Sequence, residues 1–182
     1  MRTNVSKAGM LLVALVIGSL VALPVVAQSK ASEKNVESLN AVLKEITKGK
    51  TQVQGAMDAL NALVSGGEAN LTKNYNAFTK QVSGLTKTRT SVQARAEAIK
   101  QVMDSLQPAG DALREAFPPF FSDLNDVQKM LSVDLSQSGM TAAKPIGEKV
   151  VANGNIIVKS LDTYITTLTQ VRDQIAPKAK KS

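Results

Sequence analysis

Basic side chains recur at a fixed interval in the middle of this sequence. Three successive heptads begin with an apolar residue, a threonine and a lysine: Leu71-Thr72-Lys73, Phe78-Thr79-Lys80 and Leu85-Thr86-Lys87. Arg95 and Lys100 follow, and Glu97 is the one acidic residue near them. Seven residues are two turns of an α-helix, so on a helix the three lysines share one stripe. A row of ammonium groups attracts anionic material through its charge and needs no reaction to do so.

The basic stripe has two interpretations. Charged runs on long helices are usually only solvated faces. The second interpretation is a contact site for an anionic polymer or a surface of lipid headgroups. For that second interpretation the candidate contact residues are Lys73, Lys80, Lys87, Arg95 and Lys100.

Residues for other chemistry are scarce. The 182-residue chain has no Cys and no His, which excludes thiolate nucleophiles, histidine general bases, disulfides and zinc sites of the usual ligand types. Its acidic pairs, Glu115 with Asp111 and Asp123 with Asp126, have ordinary helix-surface spacing. We therefore predict no catalytic, cofactor-binding or metal site, and no enzyme. Nucleic acid is disfavoured as a partner, because the N-terminus predicts export and the basic residues have no aromatic stacking platform among them.

The stripe belongs to a long heptad pattern. Apolar or small residues recur with strict 4-3 spacing, broken only by Arg89 and Gly110: Leu71, Tyr75, Phe78, Val82, Leu85, Arg89, Val92, Ala96, Ile99, Met103, Leu106, Gly110, Leu113 and Phe117. This spacing predicts one helix of about 70 Å that keeps a single seam towards its partners. Pro108 and Gly110 predict a kink in this arm, and Pro118-Pro119 predicts its end.

Two further arms carry similar seams. The first runs from about Ser29 to Val64, and its seam is Val36, Leu39, Leu43, Ile46, Lys50, Val53, Met57, Leu60 and Val64. The last runs from about Thr141 to Ala176, and its seam is Gly147, Val150, Gly154, Ile157, Leu161, Tyr164, Leu168, Val171 and Ile175. A short helix, Phe120 to Val133, precedes a loop before the last arm. Together these predict an all-α fold, an elongated antiparallel three-helix, coiled-coil-like bundle with a short extra helix breaking the third arm. Lys50 either fixes the register of the seam or extends its ammonium to solvent. Phe117, Phe120 and Phe121, close together in the sequence, predict a hydrophobic cap at one end of the bundle.

The N-terminus has the pattern of a targeting segment. Two basic residues precede an apolar run, and small residues at Val25 and Ala27 favour cleavage after Ala27. The predicted organisation is therefore a signal peptide (1–27), one helical bundle domain (28–176) and a basic, disordered tail (177–182). The alternative is an uncleaved N-terminal membrane anchor, since the apolar run is long enough to span a bilayer.

The order of these parts resembles that of a family of uncharacterised exported bacterial proteins, a domain of unknown function. The shared features are a signal peptide, Gly66-Gly67 followed by Leu71 and Tyr75 in a long helix, and Leu131 with Asp134-Leu135-Ser136 before a final helix. The resemblance implies a helical, coiled-coil-like protein of the cell envelope. It implies no catalytic residue.

We therefore predict a non-enzymatic structural or interaction protein of the periplasm or of the exterior. The alternative function is a binding module for anionic envelope material, namely phospholipid headgroups, lipopolysaccharide or acidic polysaccharide. Self-association is a third hypothesis, because the seam near Leu106 to Phe117 has no partner in the first arm. Either the short helix or another subunit covers it.

Overall fold

Four α-helices make up the part of the chain that the structure, a computed structural model, describes. The backbone is described for residues 25–176 and the side chains from Ser32 onward. The helices are α1 (Val25–Ser65), α2 (Leu71–Lys100), α3 (Gln107–Val133) and α4 (Gln137–Ile175), with short 3-10 turns at Glu68–Asn70 and Asp104–Leu106. Residues 25–176 contain no strand. The all-α prediction is confirmed.

Cross-helix contacts establish how the helices run. Glu45 of α1 meets Arg95 near the end of α2, so these two helices are antiparallel. Lys50 of α1 meets Asp162 of α4, which makes that pair antiparallel as well. Helices α2 and α3, and α3 and α4, are joined by short links and also run in opposite directions. The result is a bundle in which each helix is antiparallel to its two neighbours.

The predicted seams supply most of the core. The heptad positions of the first arm, the second arm and the last arm are largely buried, including Ile46, Phe78, Leu85, Ile157 and Leu161. Helices α1 and α3 both approach α4 closely at Gly154, where a Cβ atom would collide with Met57 of α1 and touch Phe120 of α3. The period of the pattern thus determined which face of each helix turns inward.

The predicted second arm is two helices, and the predicted three-helix arrangement is not confirmed. Helix α2 ends at Lys100, and α3 begins at Gln107 and returns alongside it. We call residues 101–106 the α2–α3 turn. Met103 is extended there (φ −137°, ψ 96°), and Pro108 lies in the first turn of α3. A proline in a first turn costs nothing, because that N–H has no partner inside the helix. The predicted kink at Pro108 is therefore wrong.

The predicted stop at Pro118-Pro119 is also wrong. Both prolines lie inside α3, which continues to Val133. The two carbonyls that lose their donors belong to Arg114 and Glu115, which are exposed to solvent. The opposite side of this segment is strongly apolar and buried, and this burial outweighs the local loss of hydrogen bonds.

The three phenylalanines do not cap the end of the bundle. Phe117, Phe120 and Phe121, here called the aromatic cluster, are buried near the middle of α3. Phe120 and Phe121 meet edge to face with ring centroids 5.8 Å apart. The end-cap prediction failed because it assumed that the prolines end the helix.

The two charged seam residues, Lys50 and Arg89, have different contact partners. Lys50 is partly exposed and its Nζ lies 2.6 Å from Oδ1 of Asp162 on α4. Arg89 places its guanidinium 4.6 Å from the ring centroid of Phe121, and the residue as a whole is exposed. Arg89 therefore covers the aromatic cluster by a cation–π contact, and no acidic partner is needed.

The link between α3 and α4 is shorter than predicted. Ser136 caps α4 by accepting a hydrogen bond from the backbone N–H of Gly139, so that helix begins at Gln137 rather than near Thr141.

The predicted signal peptide, apart from its last three residues, and the predicted tail lie outside the described residues. Within residues 25–176 no helix is both long and apolar enough to cross a membrane.

Candidate functional site

The outer surface of α2 is the most one-sidedly charged surface of the bundle. The helix carries six basic residues and one acidic residue, Glu97. Lys73, Lys80 and Lys87 are exposed, and none of them forms an ion pair with another residue of the described chain. We call these three lysines the basic face. Their heptad spacing places them about 10.5 Å apart along the helix.

The surroundings of the basic face are small and uncharged. Ala77, Ser83, Gly84 and Ser91 lie on the same outer side of α2. No acidic residue occurs between Glu68 and Glu97 to neutralise the lysines from within the helix. A large anionic partner can therefore approach the ammonium groups without displacing bulky side chains.

Arg95 lies at the side of this surface and is already paired. Its Nε donates to Oε2 of Glu45 at 2.8 Å, which joins α2 to α1. Both side chains are more than a third exposed, so the pair contributes little to stability, roughly 0–1 kcal/mol. Arg95 reaches solvent, but its charge is largely balanced within the bundle.

Lys100 does not belong to the exposed stripe in which the sequence placed it. The residue is 5% exposed, and its Nζ lies 3.1 Å from Glu97 Oε2 and 3.1 Å from Asp111 Oδ1. Helix α3, returning after the α2–α3 turn, covers it. The hydrogen bonds to Asp111 and then to Glu97 raise the pKa of Lys100 despite the opposing effect of burial. This ammonium is held inside the protein and does not reach an external anion.

A buried tyrosine completes this group, which we call the Lys100 cluster (Lys100, Glu97, Asp111 and Tyr164). Tyr164 of α4 is fully buried, and its hydroxyl donates to the backbone carbonyl of Ala96 at 2.8 Å. Burial raises the pKa of Tyr164, and the negative charges of Glu97 and Asp111 raise it further. The cluster ties α2, α3 and α4 together at one end of the bundle.

Two shallow grooves accompany these features. One, of about 400 Å³, lies between α2 and α3 and is lined by Gln93, Glu97 and Arg114 among others. The other, of about 590 Å³, lies along α1, where Lys44, Lys48 and Arg172 contribute. Both are open to solvent, whereas ligand sites are usually enclosed clefts.

The basic face can attract anions through its charge, and the Lys100 cluster can hold α2, α3 and α4 together. Within residues 25–176, no group of three or more Asp or Glu residues is placed to bind a metal ion. Glu115 and Asp111 were predicted to be ordinary surface residues. This holds only for Glu115, because Asp111 binds Lys100. This pairing was not predictable from residue spacing, because it depends on the reversal of the chain at the α2–α3 turn.

No protein-family model matches the sequence, and neither curated proteins nor solved structures contain a match.

Proposed function

We propose that this protein is a non-enzymatic structural or interaction protein of the cell envelope that acts by binding a partner. The observation that carries the proposal is the basic face, three exposed lysines in a row on a helix whose opposite side is anchored in the core. A rigid helix holds such a surface in one geometry, which favours contact with an extended partner.

The proposal includes export. A signal peptide cleaved after Ala27 would deliver the bundle to the periplasm or to the exterior, and an uncleaved anchor would tether it to the membrane. The mass of the protein in cell fractions separates the two. We expect a band that lacks the first 27 residues, and a full-length band in the membrane fraction alone would contradict cleavage. Membership of the family of exported helical proteins described above is part of the same proposal.

A site-specific cross-linking experiment tests the interaction role. A photo-reactive amino acid replaces Lys80 on the basic face in one variant, and Lys149, an exposed lysine of α4, in a matched control. After illumination of intact cells, we expect adducts from position 80 and few from position 149. Equal labelling from both positions would contradict a specific contact surface on α2.

A second candidate function is favoured by the charge of the same surface. The anionic partner would be envelope material: phospholipid headgroups, lipopolysaccharide or an acidic polysaccharide. Each lysine near an anionic membrane contributes about 1 kcal/mol, so the basic face supplies only about 3 kcal/mol. Such binding is weak, reversible and strongly reduced by salt.

Co-sedimentation with vesicles tests this second candidate. We expect binding to vesicles that contain anionic lipid at low salt, release at high salt, and no binding to neutral vesicles. Equal sedimentation with both vesicle types would remove electrostatic attraction as the cause. Competition by lipopolysaccharide or by a soluble acidic polysaccharide then ranks the three anionic materials.

A further inference from the structure

The heptad pattern runs through the turn between α2 and α3 without changing phase. Ile99, Met103, Leu106 and Gly110 keep the 4-3-4 spacing across residues 101–106. The same spacing then continues along α3 to its buried Leu131. Two helices that merely follow one another through a turn have no need of a common register. A common register is what one continuous helix over 71–133 would need, about 95 Å in length.

The backbone on either side of this turn is helical. Gln101 (φ −64°, ψ −19°), at its start, and Gln107 (φ −53°, ψ −51°), just after it, have helical dihedral angles. Residues 104–106 form a 3-10 turn, and Met103 before it is extended. The segment Gln101–Leu106 contains neither glycine nor proline, whereas helices that end permanently often have a glycine there. A local change of the backbone around Met103 would join the two helices.

The contact between α2 and α3 is also the sparsest among neighbouring helices of the bundle. The α2–α3 groove separates the helices at one end, and two polar contacts join them further along: Tyr75 donates to the Gln128 carbonyl at 3.2 Å, and Arg89 covers the aromatic cluster. The hydroxyl of Thr79, on α2, is buried without a hydrogen-bond partner among the described residues. The α1–α2 hairpin and the α3–α4 hairpin are each held by closer packing.

We propose that the α2–α3 turn is a hinge through which two copies of this chain exchange hairpins. In the exchanged dimer, α2 and α3 of each copy form one long helix, and the α1–α2 hairpin of one copy packs on the α3–α4 hairpin of the other. The interactions of the core are those of the single chain, now made between chains. This inference does not depend on the anionic partner.

One existing feature favours the exchange and another opposes it. Glu45 faces Arg95, so α1 of the chain cleaved after Ala27 extends about 12 residues beyond the end of α2 and offers a surface along which the straightened helix can pack. Pro108 opposes the exchange, because it would lie inside the continuous helix and remove one of its hydrogen bonds. Pro108 therefore biases the chain towards the closed single bundle.

Two substitutions of opposite effect test the hinge. Pro108→Ala removes the obstacle, and after refolding from urea at high concentration we expect the dimer's dissociation constant to fall by at least about tenfold. Asp104→Pro fits the closed turn, since it begins the 3-10 segment after an extended residue, and it blocks the continuous helix. It should remain monomeric. Pro119→Ala, an exposed proline inside α3, is the matched control and should behave as the wild type. Light scattering after size exclusion reads the masses.

Cross-linking between chains separates an exchanged dimer from two intact bundles side by side. The natural sequence has no cysteine, so Lys50→Cys in one Pro108→Ala chain and Asp162→Cys in another provide the only thiols. These positions face each other between the two hairpins. A short bismaleimide should link the two chains after they are refolded together.

Three results would overturn the hinge. One is equal dimer fractions for Pro108→Ala and Asp104→Pro, and another is a Pro108→Ala dimer that the bismaleimide does not link. If circular dichroism shows Pro108→Ala to be unfolded, the test uses the wild type in its place. After refolding at high concentration, the wild type must form a dimer that Asp104→Pro does not form. Equal amounts of dimer from these two proteins would refute the hinge.

Discussion

Replacing Tyr164 by phenylalanine should change the stability of the bundle in opposite directions at neutral and alkaline pH. The substitution keeps the buried ring and removes the hydroxyl that donates to the Ala96 carbonyl. That carbonyl belongs to the last turn of α2 and can still accept its hydrogen bond within the helix. The loss near neutral pH is therefore that of one hydrogen bond, about 1 kcal/mol.

The alkaline effect follows from the raised pKa of Tyr164. In the unfolded chain a tyrosine loses its proton near pH 10, whereas burial and the nearby carboxylates keep the folded Tyr164 protonated above that pH. The stabilisation of the folded bundle by the protonated Tyr164 is complete below about pH 10. It declines as pH rises from there through the folded pKa of Tyr164. The decline is about 1.4 kcal/mol for each pH unit. Lys100 adds to the alkaline loss, because its folded pKa is also raised, but its ammonium is present in both proteins.

The two stability curves should therefore cross. Tyr164→Phe should be less stable than the wild type by about 1 kcal/mol near pH 7, and the order should reverse at about pH 11. Urea unfolding followed by far-UV circular dichroism at several pH values measures this difference, since the protein has no tryptophan. A difference that stays constant up to about pH 11 would refute the placement of Tyr164 in a buried site beside acidic groups.

Other substitutions test the packing. Gly84→Ala should stabilise the protein by about 1 kcal/mol in urea unfolding, because the new methyl group meets only a glutamine amide at 3.9 Å. Gly139→Ala should destabilise it by about 1–3 kcal/mol, since the methyl group collides with a backbone carbonyl of the preceding link; a neutral effect would contradict the described start of α4. Val127→Ala, fully buried, should cost about 2 kcal/mol. Val133→Ala, 84% exposed, should cost less than about 0.5 kcal/mol. Equal losses would show that the predicted face of α3 is wrong.

The inward faces of the helices were predictable because helix period and hydrophobic burial act locally. Leu85, Ile157 and Leu161 were assigned to seams from their spacing alone and are buried. The same local reasoning failed for the prolines. Pro108 is harmless in a first turn, and Pro118 is tolerated where a strongly apolar face is buried behind it. The spacing cannot distinguish a kinked helix from two helices that share one register.

The charged residues were harder to place, because their surroundings depend on the reversal at the α2–α3 turn. Lys100 was expected on the surface, but α3 returns over it and supplies Asp111. Arg89 interrupts the apolar seam, and its partner, Phe121, also belongs to the returning helix. Lys73, Lys80 and Lys87 lie where no second helix covers α2, so their heptad positions were sufficient to place them.

The proposed role of the basic face is tested most directly by vesicle binding of two triple variants of equal charge. One replaces Lys73, Lys80 and Lys87 by glutamine, and the control replaces three exposed lysines of α4: Lys144, Lys149 and Lys159. With anionic vesicles at low salt, we expect the first variant to lose about 3 kcal/mol of binding free energy, roughly a hundredfold in affinity, and the control to retain most of its affinity. Equal losses in the two variants would show that only net charge matters and that α2 presents no contact surface of its own.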